Sequence, residues 1–93
     1  MTNLPKKIIV GDIIYKIRYL KRMRDFGEID LDNRIIRIRI NSPDTKNALL
    51  HEVLHAIEDY FAIEATEQGS ECYANGLRMV FLNNPDLKQI LED

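Results

Sequence analysis

Through the first forty positions apolar and polar residues alternate in short strand-like runs, and the rest of the chain switches to helical spacing. Ile8, Ile9 and Val10 run into Gly11-Asp12, a two-residue hairpin turn. Beyond it Ile13, Tyr15, Ile17 and Tyr19 alternate with Ile14, Lys16, Arg18 and Leu20. One face of that strand is apolar and the other largely basic, as in a sheet covered on one side only. The segment 21–25 is too charged for a core and reads as a connection. Gly27-Glu28-Ile29-Asp30-Leu31 alternates again, Asp32-Asn33-Arg34 supplies turn residues, and residues 35–40 return with Ile36, Ile38 and Ile40 on one face. Arg37 and Arg39 take the other face, where Glu28 and Asp30 are expected opposite them across the hairpin.

At Asn41-Ser42-Pro43-Asp44 the pattern changes. Ser42 suits a cap, Pro43 a first helical position and Asp44 the positive end of the dipole. A helix to about residue 62 is predicted, with Leu50, Leu54, Ile57 and Phe61 as its core stripe. Residues 63–70, polar and holding Gly69, read as a loop with room for the next helix's first turn. A second helix over 70–83 follows, with Tyr73, Leu77, Val80 and Phe81 apolar. Asn84-Pro85-Asp86 repeats the cap-and-proline signature before a short terminal helix over 86–91. Strands first and helices after make one α+β domain over residues 1–93, with a small antiparallel or mixed sheet of three or four strands.

Ninety-three residues allow one modest core. The single Cys72 excludes an internal disulfide and suits a reducing compartment. No apolar run reaches the roughly 18 residues of a membrane span, and the first residues lack a signal-peptide pattern, so a cytoplasmic location is expected. The net charge of −2 hides an imbalance: residues 1–40 carry +5 and residues 41–93 carry −7. A basic half can serve nucleic acid or an acidic partner. Cross-strand charge pairing on a solvated sheet face is the preferred explanation, and nucleic acid is not expected as a partner.

The chemistry lies in the first helix, at His51-Glu52-Val53-Leu54-His55. Residues four apart share a helix face, so His51 and His55 can bind one metal ion. Glu52, one position round, can reach a water there and act as general base. These are the chain's only two histidines. A catalytic zinc also needs a third protein ligand. Glu58 and Asp59 lie too far along the helix, Asp59 roughly 12 Å from His51, and no third histidine follows. The second helix offers Glu71, with Ala74 small enough for close helix approach and Asn75 one turn on to orient a ligand histidine. An acid in a first helical turn also suits the dipole alone, and Glu67 and Glu64 are alternative ligands. Cys72 points about 100° away from Glu71 and reads as a small buried hydrophobe.

These residues resemble the gluzincins, thermolysin among them, in which HExxH on one helix is joined by a glutamate ligand on the next and an acidic residue four later. Glu71 and Asn75 match that spacing, with Asn in place of the usual Asp. Glu71-Cys72-Tyr73-Ala74-Asn75 also resembles the E-x-x-A-N of ImmA/IrrE-type metallopeptidases. The whole chain resembles the short HExxH proteins of phages and mobile elements, through its hairpin before the motif, Ala74-Asn75-Gly76 and Asn84-Pro85. The resemblance implies a minimal zincin domain that hydrolyses peptide or protein substrates, with zinc as cofactor and a regulatory protein as one substrate class.

On that reading Glu52 moves the protons of hydrolysis, and Tyr60, Tyr73 and Arg78 are candidate second donors to the oxyanion. The strand over 35–40, if an edge, would pair with an extended substrate. The rival reading is a zincin-shaped metal-binding module that recognises a partner without cleaving it.

Overall fold

Gly11 sets the first hairpin. Its φ of +66° places it at the first central position of a two-residue turn, between strand β1 (Lys7–Val10) and β2 (Ile13–Leu20). The Tyr60 ring also lies where a Cβ at Gly11 would stand, so conformation and space both demand glycine. The structure, a computed structural model, describes residues 4–40, 45–62 and 67–92, without the side chains of 67–73, 88 and 90–92. Strand β3 (Gly27–Asp30) and β4 (Ile35–Arg39) form the second hairpin. Three helices follow: α1 (Thr45–Phe61), α2 (Glu67–Asn83) and α3 (Pro85–Glu92). The α+β class with a four-stranded mixed sheet is as the sequence predicts.

The strand order is β1-β2-β4-β3. β4 runs parallel to β2, with Ile17 opposite Ile36, and antiparallel to β3, with Glu28 opposite Arg37. The arginine-bearing strand is therefore interior, and β3 is the edge. Asp30 does not reach across the hairpin; its carboxylate accepts from the backbone and side chain of Asn33 at 3.0 and 2.8 Å. Those two bonds hold its pKa below the ordinary value.

Alternation puts Ile8, Val10, Tyr15, Ile17, Ile36 and Ile38 on the inner sheet face, all buried. Against them α1 lays Leu49, Val53, Ala56 and Ile57, with Val80 and Leu87 closing the core from α2 and α3. Each fully buried aliphatic side chain contributes roughly 1.5–3 kcal/mol. The stripe differs from the expected one: Leu50, Leu54 and Phe61 are only half-buried. A helix lying flat on a sheet buries a broad face, and Ile57 belongs to both sets of positions.

α1 ends where Ala62 turns left-handed at φ 50°, a conformation that costs a residue with a Cβ about 1–2 kcal/mol. The expected cap at 41–44 lies outside the described residues. α2 starts at Glu67, so residues 67–70 of the expected loop form the helix's first turn, as the sequence allows. It approaches α1 at Gly76, where a Cβ would lie 2.5 Å from Ile57 Cγ2. Ala74, expected at that contact, is exposed.

Asn84 is more than a cap. Ile9 N–H donates to its Oδ1 at 3.0 Å, and its Nδ2 donates to the carbonyls of Ile9 at 2.9 Å and Val80 at 2.8 Å. One side chain ties the outer edge of β1 to the end of α2. Asn84→Ala should lower stability by about 1–3 kcal/mol through the groups left unpaired, read from chemical denaturation at unchanged m-value.

Candidate metal centre

One and a half turns of α1 carry the site. Leu49, Val53, Ala56 and Ile57 fix the helix's roll on the sheet. That roll turns His51 outward, leaves His55 half-buried and drives Glu52 into the seam beside β3. The Nε2 atoms of His51 and His55 lie 3.0 Å apart, with ring centroids at 4.6 Å and planes at 86°. Two imidazoles on one tetrahedral zinc, each at about 2.0–2.1 Å, hold their nitrogens roughly 3.3 Å apart. The pair is already near that separation, and the candidate ligand atoms of His51, Glu52 and His55 all fall within 4.8 Å of one another.

His55 is oriented from below. Its Nδ1 stands 3.5 Å from Glu58 Oε2, one turn on. A carboxylate there favours the tautomer with its proton on Nδ1, leaving the Nε2 lone pair for a metal. The i+3 spacing of Glu58 from His55 was the sequence signal for this contact. Asn75, matched by spacing to that kind of role, is exposed and makes no hydrogen bond to either histidine among the described residues.

Glu52 is the electrostatic centre. It is 4% exposed, and its Oε2 is buried with no hydrogen-bond partner among the described residues. Burial raises its pKa, His55 and His51 oppose that, and Glu28 adds a smaller push upward. A carboxylate oxygen so placed is an acceptor waiting for a cation or a proton donor, which fits a metal held by the adjacent imidazoles.

The carboxylate lines a cleft of about 370 Å³ together with Phe26, Gly27, Asn47, Ala48 and His51. Gly27 makes the cleft possible: a Cβ there would stand 3.0 Å from Ile38 Cδ1 and 3.3 Å from Glu52 Cγ. Phe26 and Gly27 give no signal in the sequence, because only the β3 register brings them to the helix. Asn47, one turn before His51, was open to helical counting.

The remaining candidates separate. Glu71 is the fifth residue of α2 rather than in its first turn, which weakens the helix-dipole explanation for an acid there. Its side chain, with those of Glu67, Cys72 and Tyr73, lies outside the described set, and Glu64 lies outside the described residues altogether. Tyr60 sits over the Gly11 turn, roughly 12 Å along α1 from Glu52, so it is not a donor to this cleft. Arg78 is exposed on α2.

Comparison with protein-family models, curated proteins and solved structures returned no match, so the functional reading rests on this geometry. No described helix is long and apolar enough to cross a membrane.

The raised pKa of Glu52 has a definite sign for stability. Its contribution is fully present below the unfolded glutamate value of 4.5 and is lost as pH rises through the raised folded value. In metal-free buffer, Glu52→Gln should therefore be more stable than wild type at neutral pH. The difference should close below about pH 4.5, as followed by urea denaturation across pH.

Proposed function

We propose that this chain is a zinc-dependent peptidase. The observation that carries the reading is a pair of imidazole Nε2 atoms 3.0 Å apart beside a buried carboxylate at a cleft, with one oxygen unpartnered among the described residues. Two imidazoles and a carboxylate are a donor set suited to zinc. His51 and His55 would hold it, with Glu71, assigned by spacing, as the third protein ligand. When bound, zinc supplies an acidified water and polarises a carbonyl.

The protein's own part is proton movement and positioning. Glu52, with its affinity for protons raised by burial, takes one from the attacking water and passes it to the leaving amine. Glu58 keeps the His55 tautomer fixed during that exchange. The open edge of β3, rather than β4, borders the cleft at Phe26 and Gly27, where an extended peptide can add as a further strand. Its backbone would then hydrogen-bond to β3 while its scissile carbonyl faces Glu52.

Elemental analysis should give about one zinc per chain for the wild type, with most of it lost in His51→Ala and Glu71→Ala. Glu52→Gln should keep its zinc while hydrolysis of a quenched-fluorescent peptide library falls by about 10²–10⁴-fold. Zinc retained in Glu71→Ala would move the third ligand elsewhere on α2. Hydrolysis unchanged in Glu52→Gln would end the peptidase reading and leave a metal-binding recognition module.

A further inference from the structure

All described helices pack on one side of the sheet, so no described helix covers its other face. Outward positions on β1, β2 and β4 carry Lys7, Lys16, Arg18, Arg37 and Arg39. The register sets Lys7 directly opposite Lys16 and Arg18 directly opposite Arg37. Like charges directly opposed across strands destabilise a sheet. Cross-strand neutralisation is nearly missing: among the described residues Glu28, 3.7 Å from Arg37 Nη1, is the one carboxylate in ion-pair range of this face. Arg39 is committed elsewhere, over the Phe26 ring at 4.3 Å. Lys7, Lys16 and Arg18 have no ion pair among the described residues.

Aliphatic side chains interleave with these cations. Ile9 lies opposite Ile14, which is 51% exposed, and Leu20 is 37% exposed. We propose that this face docks an acidic amphipathic segment of a protein partner. Its carboxylates would neutralise the opposed cations, and its apolar stripe would cover Ile14 and Leu20. Nucleic acid matches the charges less completely. It offers nothing to the aliphatic row, and stacking platforms need several free aromatics, whereas the aromatic beside this face, Phe26, is already stacked with Arg39. The charge of −7 on residues 41–93 also repels a polyanion long enough to run beyond the patch. An acidic peptide ends where the patch ends. Because the face lies across the sheet from His51 and Glu52, the proposal stands apart from the metal chemistry.

The test uses the full chain and a dye-labelled synthetic helix-forming peptide of about 16 residues, Leu at i, i+3, i+4 and i+7 and mostly Glu elsewhere. Fluorescence anisotropy should show salt-sensitive binding, weakened about tenfold or more in Lys16→Glu/Arg18→Glu and also in Ile14→Ser. His51→Ala should bind as wild type does, and circular dichroism should show all variants folded. Absence of binding overturns the proposal. So does equal binding of a scrambled peptide of the same composition, or equal competition by oligothymidylate, since either would mark a surface that responds to charge alone.

Discussion

The N-terminal half of α1 is arranged around a carboxylate oxygen that is buried without a hydrogen-bond partner among the described residues. Leaving such a group unpaired costs about 1–3 kcal/mol, so the surrounding structure must hold it against the pull of solvent. Packing of Leu49, Val53, Ala56 and Ile57 on the sheet does this, since rolling α1 to expose Glu52 would lift those four side chains out of the core. Gly27 completes the arrangement by letting the Glu52 methylenes lie against the β3 backbone. Stability of the sheet–helix contact is thereby converted into a fixed position for one functional group. The two imidazoles follow, because helical geometry ties their direction to that of Glu52.

Much of this was legible in the sequence, for reasons that vary by element. The strands and the Gly11 turn follow from period-two alternation and one residue that tolerates a positive φ. The histidine pair follows from a spacing that a helix enforces on its own. Information that depends on what lies across from an element was hidden. Leu50, Leu54, Ile57 and Phe61 made as good a stripe as Leu49, Val53, Ala56 and Ile57, and only the sheet beneath decides between them. The order of β3 and β4 was equally open, because both alternate, and that order determines which strand borders the cleft. The expected pairing of Glu28 and Asp30 with arginines was half right: the hairpin register delivers Glu28 to Arg37, while the nearer Asn33 claims Asp30.

The same sheet separates two chemistries. Its inner face and one edge hold a small cleft, where burial raises the proton affinity of Glu52. Its outer face is cationic and open to solvent, where opposed charges are softened by water and salt. A four-stranded sheet has two sides, and here they differ in character. Substitutions at exposed Lys16 or Arg18 therefore leave the core contacts of α1 untouched.

The Asn84 clasp has a consequence for how this sheet can grow. A carboxamide is in effect a peptide group without a chain, and it offers β1 one donor and one acceptor, as a neighbouring strand would. The ladder therefore terminates at β1 in a single side chain, and the sheet has a direction of extension. A strand that joins it is steered to the far side, alongside β3. That far side is where Gly27 lies against Glu52, so among the described residues the unclasped end of the sheet is the end beside the buried carboxylate.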